Sequence, residues 1–212
     1  MAETTALRES VPEGPNGPRR LPHRAADTAY PARMSDIVPD DKDWTWTLSR
    51  TCPECGITAG RIGAGDIADL VLAWTDPWPA VLTRTDVRDR PAAATWSPLE
   101  YACHVRDVCR LFEERLRSML EEDGPTFANW DQDETAVRDR YGEQDPAVVA
   151  EQLADAAGAL AARYAAVADG QWDRVGTRSN GSRFTVLTLG QYGLHDIGHH
   201  LVDVGDRPPE RP

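Results

Sequence analysis

A chain of 212 residues, 41% hydrophobic and 27% charged, holds enough apolar material for one globular core and needs neither metal nor disulfide merely to fold. Its net charge of -12, with no block of lysine or arginine, excludes nucleic acid and acidic membrane surfaces as expected partners, because both reward basic side chains. No apolar run approaches the roughly 20 residues that cross a bilayer, no apolar signal stretch opens the chain, and the four cysteines are too unevenly placed for a secreted disulfide framework; the chain reads as cytoplasmic.

Residues 1–43 are rich in Pro, Arg, Asp and Gly and lack an apolar period, so a disordered leader is expected, with Met34 as an alternative start. Residues 44–62 read as an extended segment, since Trp44, Trp46 and Leu48 alternate with polar neighbours before the turn Cys52-Pro53-Glu54-Cys55-Gly56. Four segments of helical period then fill 63–206. The first carries Ile67, Leu70, Val71, Trp74, Trp78, Val81 and Leu82, with a break expected at Pro77 and Pro79. The second opens on Ser97 as N-cap, Pro98 at the first helical position and Glu100 at the third, with Trp96 stapled onto Tyr101, and runs to about Glu122. The third starts at Asp145-Pro146, buries Val149, Leu153, Ala156, Leu160, Tyr164 and Val167, and is expected to end at Gly170. The fourth follows an Asn180-Gly181 turn, takes Thr185 as cap, and lines up Leu187, Leu194, Ile197, Leu201 and Val204. Residues 207–212 form a disordered tail. Four amphipathic helices with little strand signal define an all-α helix bundle.

The chemistry concentrates on the second and fourth helices. His195 and His199 lie one turn apart, about 6 Å along the axis, and project from the same side. Alone, such a pair is as easily satisfied by hydrogen bonds as by an ion. His104 changes the balance, because it sits on the stripe of Val108, Leu111 and Phe112 that faces the interior. Three neutral nitrogens converging in a bundle core suit a divalent metal, zinc first and nickel or iron after it, with coordination positions left open.

Two stretches carry a family resemblance. Trp96-Ser97-Pro98-Leu99-Glu100-Tyr101-Ala102-Cys103-His104-Val105-Arg106-Asp107 and His195-Asp196-Ile197-Gly198-His199-His200-Leu201-Val202-Asp203-Val204 resemble the two signature regions of the DinB-like superfamily, over roughly 64–204. That superfamily includes YfiT-like metal hydrolases, bacillithiol and mycothiol S-transferases, and the mycothiol-dependent maleylpyruvate isomerase. The resemblance implies a four-helix up-down-down-up bundle and a metal held by His104, His195 and His199. Related bundles often pair, so it admits a homodimer. His200 is turned about 100° from His199; with Asp196 and Asp203 it is expected to stand behind the ligands and orient them, or simply to face solvent. A carboxylate that some iron-dependent relatives place two residues after the last histidine is Leu201 here, against oxygen-activating chemistry.

The implied activity is a metal-dependent transfer of a low-molecular-weight thiol to a small electrophile. The alternatives are hydrolysis by metal-bound water and a non-catalytic metal-binding or stress-response role. Abundant Arg and Ala with scarce Lys suggest a GC-rich genome, favouring mycothiol as cosubstrate. In the Trp130 loop, Asp131 is a candidate proton carrier near the metal, or a solvated acid. Arg106 and Arg110 could anchor an anionic substrate or pair with Asp107 and Glu113. Cys52 and Cys55 resemble half of a zinc-ribbon knuckle; a redox pair and two free thiols are the other readings. Cys103 and Cys109 fall on separated helix faces and cannot readily both complete that knuckle.

Overall fold

The computed structural model describes residues 43–209; the expected leader, its alternative start at Met34 and the last residues of the tail lie outside them. Proline punctuates the first bundle segment as its sequence requires. Helix α1 (Ile67–Thr75) stops before Pro77, and α2 (Trp78–Leu82) restarts behind it with Pro79 in its first turn. Helix α3 (Pro98–Glu121) begins on a complete capping box: the Ser97 hydroxyl accepts from the Glu100 N–H, and the Glu100 carboxylate accepts from the Ser97 N–H. Trp96 meets Tyr101 edge-on at 5.6 Å between ring centroids. A short α4 (Gln132–Arg138) follows, then α5 (Pro146–Ala165), whose first turn is capped by Asp145, and α6 (Val186–Asp203), capped by Thr185.

Helix α3 packs on α5 and α6, and α1 packs on the same two helices, so α1 and α3 lie across the bundle from one another. Leu99, Leu116, Leu153, Leu160, Leu189, Leu194 and Ile197 meet in the centre, almost without exposure. Each such side chain stabilises the fold by roughly 1.5–3 kcal/mol relative to exposure.

Three features differ from the sequence-based expectation. Trp44–Leu48 is not extended but a 3-10 turn, because the Asp43 carboxylate accepts from the Thr45 N–H and starts a helical turn there. Helix α5 stops at Ala165, before Gly170, which falls in a separate 3-10 turn at Asp169–Gln171. A small sheet also caps the bundle: β1 (Thr126–Phe127) runs parallel to β2 (Val175–Arg178), which pairs antiparallel with β3 (Arg183–Thr185) in the order β1-β2-β3. The Asn180-Gly181 turn closes the β2-β3 hairpin, with Gly181 at φ +94°.

The start of α3 is fastened electrostatically. Arg90 donates to both oxygens of Glu100, at 2.9 and 2.6 Å, and Glu100 is 2% exposed. Burial opposes ionisation of this carboxyl, yet the Arg90 guanidinium and the Ser97 donors hold it below the usual glutamate value. Its contribution is therefore complete above the ordinary glutamate range and is lost as pH falls through the lower folded value. Glu100→Gln is expected to cost about 1–3 kcal/mol at neutral pH, and urea unfolding measured from neutral pH down into the acid range should show a shallower acid loss in the variant than in the parent.

Candidate metal centres

Capping and packing hold α3 and α6 side by side, and this brings a first cluster together. His104 on α3 is fully buried, and its Nε2 lies 3.1 Å from Asp196 Oδ1 on α6. His200 Nε2 reaches the same oxygen at 3.2 Å. The ligand atoms of His104, Asp196 and His200 all lie within 4.8 Å of one another. Two donors bound to one ion at about 2.0–2.1 Å in tetrahedral geometry stand roughly 3.4 Å apart, so this spacing suits a shared cation. The polar environment suits one too. His104 Nδ1 has no partner among the described residues, so the imidazole's only polar return for burial is on its Nε2 side. Burial lowers the His104 pKa and keeps the ring neutral, as a ligand must be. For His200, burial opposes protonation, but hydrogen bonds to Asp196 and Asp203 outweigh it and raise its pKa to about 9; the spot favours positive charge. Burial likewise opposes ionisation of Asp196, and the two imidazoles overcome it, holding its carboxyl far below the usual range. Asp203 Oδ2 accepts from His200 Nδ1 at 2.7 Å, the carboxylate-histidine arrangement that orients a metal ligand.

The expected trio of His104, His195 and His199 is thus not the one the fold assembles. Asp196 and His200, expected behind the ligands, stand with His104 instead. The reason is helical rotation: His195-Asp196-Ile197-Gly198-His199-His200 contains two overlapping pairs four residues apart, and it is Asp196/His200 that turns toward α3.

His195 and His199 turn instead toward the segment preceding α1, where a second cluster forms. Cys52 Sγ lies 3.8 Å from His199 Nδ1, and Cys55 Sγ lies 3.7 Å from His195 Nε2. All four ligand atoms fall within 4.8 Å of one another. Cys103 and Cys109 are buried elsewhere as free thiols. Burial lowers the His195 pKa to about 4 and raises that of Cys55 to about 12, so a thiolate here would need a cation beside it. Trp44 covers both imidazoles, with ring centroids 5.6 Å from His195 and 5.4 Å from His199. Gly198 lets this segment approach: a Cβ there would come within 2.6 Å of Ile57 Cδ1 and 2.8 Å of Trp74 Cε3.

A cavity of about 700 Å³ opens beside these clusters, lined by Asp196, His200, Trp96, Trp130, Tyr101 and Arg115 among others. Trp130 stacks on His104 at 5.2 Å and 12°, and its Nε1 donates to Thr135. Asp131 lines the cavity, but its Oδ1 accepts from the Glu134 N–H as the cap of α4. Arg106 and Arg110 both pair with Asp107, whereas Glu113 pairs with Arg163. The cavity lining also holds Arg115 and Arg178, which nothing in their local sequence distinguishes, beside the acids Asp43, Glu54 and Asp133. Arg115 is 4% exposed and its Nε has no partner among the described residues. Burial, reinforced by Arg178, lowers its pKa to about 10.

Fold and clusters together define a helical bundle with candidate metal-binding residues in and beside its core. The chain belongs to the DinB superfamily, whose family model matches residues 68–203. It is similar in structure to YfiT from Bacillus subtilis, described as a probable metal-dependent hydrolase with an unusual four-helix bundle topology, at a TM-score of 0.56 and 19% identity, covering 65% of this chain and 83% of that one. A comparison with curated proteins gives no match. Among the described residues no helix is long and apolar enough to cross a membrane.

Gly198 supplies a direct test of how closely the Cys52–Cys55 turn is seated. Gly198→Ala should push Ile57 and Trp74 away and destabilise the protein by about 1–3 kcal/mol, read from urea unfolding, as overpacked cores do.

Proposed function

We propose that this protein is a metal-dependent hydrolase acting on a small substrate with an anionic group, and that His104, Asp196 and His200 hold its metal. The observation that carries the reading is the convergence of two imidazole nitrogens on one carboxylate oxygen, at 3.1 and 3.2 Å, beside a cavity of about 700 Å³. Two histidines and a carboxylate, with remaining positions free, are a donor set of catalytic zinc sites in hydrolases. A divalent ion bound there would supply Lewis acidity, lowering the pKa of a water or thiol and polarising the substrate oxygen under attack. The chain's own residues do the rest. Asp203 fixes the His200 ring through Nδ1. Trp96 and Trp130, packed on His104, keep water from the buried side of the centre. Arg115 and Arg178 offer positive charge to the substrate's anionic group, on a lining that also carries Asp43, Glu54, Asp131 and Asp133.

Thiol transfer at the same centre is the second reading. The size of the cavity supports it, since about 700 Å³ leaves room for a cosubstrate thiol such as mycothiol beside a small electrophile. A cytoplasmic location and the pairing of two copies belong with either reading.

Ester, amide and phosphoester panels with the zinc-, nickel- or iron-loaded protein, run in parallel with mycothiol and monochlorobimane, separate the two. Hydrolysis without thiol that His104→Ala abolishes is the expected result; conjugation without hydrolysis would establish the transferase instead, and a metal-raised melting temperature with no turnover a binding role. Arg115→Gln should raise KM for anionic substrates roughly ten- to hundredfold while sparing neutral ones. Asp203→Asn should weaken metal binding about ten- to hundredfold in chelator competition.

A further inference from the structure

We infer that Cys52, Cys55, His195 and His199 form a second metal site, closed and tetrahedral, which takes a zinc ion and clamps the segment before α1 onto α6. The four side chains come from opposite ends of the described chain, two from a turn near its start and two from its last helix. No regular secondary structure links the turn to α6, yet the ligand atoms gather within 4.8 Å. In a tetrahedral site with Zn–S near 2.3 Å and Zn–N near 2.0–2.1 Å, sulfur and nitrogen stand roughly 3.6 Å apart. The observed separations are 3.8 and 3.7 Å.

The turn has the backbone such a site needs. Gly56 takes φ +77° and its N–H donates to the Cys52 carbonyl at 2.8 Å, while the Cys52 N–H donates to the Ile57 carbonyl at 2.9 Å, so both sulfurs are presented on one side. The histidines are arranged to match. His199 turns Nδ1 to the sulfur, leaving Nε2 toward Glu54 Oε2 at 3.5 Å and Asp203 Oδ2 at 3.8 Å, carboxylates placed to hold its outward proton. His195 presents Nε2.

Chemistry separates this site from the one assigned to catalysis. Two thiolates and two imidazoles make the donor set of structural zinc, with every position filled by protein and none left for substrate. The three-residue cluster of His104, Asp196 and His200 leaves positions free. Trp44 lies against both imidazoles of the four-residue site, on its cavity side. The inference does not depend on the proposed hydrolase, because the two clusters share no ligand.

Cobalt substitution tests it on the whole protein. The wild type should bind two equivalents, one of them giving the near-ultraviolet thiolate-to-cobalt charge-transfer band and the intense visible bands of a tetrahedral ion. His104→Ala should bind one equivalent and keep the charge-transfer band; Cys52→Ser/Cys55→Ser should bind one and lose it. A wild type without that band, or one whose Cys52 and Cys55 are isolated as a disulfide that excludes metal, would overturn the inference even if the double variant failed to fold. Loss of the His104-dependent equivalent alone would count against the proposed catalytic centre and leave the clamp intact.

Discussion

A fully buried imidazole on α3 is answered on its polar side by a single carboxylate on α6, in the same rotation of α6 that buries Leu189, Leu194, Ile197 and Leu201. His104 has no exposure, and Asp196 Oδ1 meets its Nε2. An imidazole buried without a partner would lose hydration with nothing in return, a cost of about 1–3 kcal/mol. Once Asp196 faces α3, helical geometry carries His200 to the same side one turn later and sends His195 and His199 about 100° around, toward Trp44 and the cysteines. The same rotation sorts His195, Asp196, His199 and His200 into two clusters of different chemistry.

Much of the bundle is legible in the sequence because its punctuation is local. Ser97-Pro98 with Glu100, Asp145-Pro146 and Thr185 begin helices through bonds made within three residues, and the break at Pro77 needs only the missing N–H. Strands of two to four residues carry too little alternation to register, so the sheet was not visible apart from its Asn180-Gly181 turn. The site was half visible for a related reason. Periodicity tells which residues share a helix face but not which face meets a neighbour, and two histidine-containing pairs offset by one residue fit the same signature. The cysteine turn resembles half a zinc knuckle in the sequence, but that His195 and His199 stand beside it follows only from the fold.

Charge is distributed unevenly across α3 in a way that separates scaffold from site. Arg106 and Arg110 both bond Asp107, and the Tyr141 hydroxyl donates to the same carboxylate at 2.6 Å, so this acid ties α3 to the chain leading into α5. Further along the helix, Arg115 donates to the Ala128 carbonyl while its Nε stays unsatisfied beside Arg178. Identical side chains thus pair with an acid at one end of the helix and stand against a carbonyl and aromatic rings at the other.

Asp203 lies between the two clusters: the same Oδ2 stands 2.7 Å from His200 Nδ1 and 3.8 Å from His199 Nε2. At the shorter distance the oxygen is hydrogen-bonded to the His200 ring; at the longer one it acts on the His199 ring through charge alone. A proton or cation arriving at either ring would therefore change the field at the other, and by thermodynamic reciprocity the effect would run with equal strength in both directions.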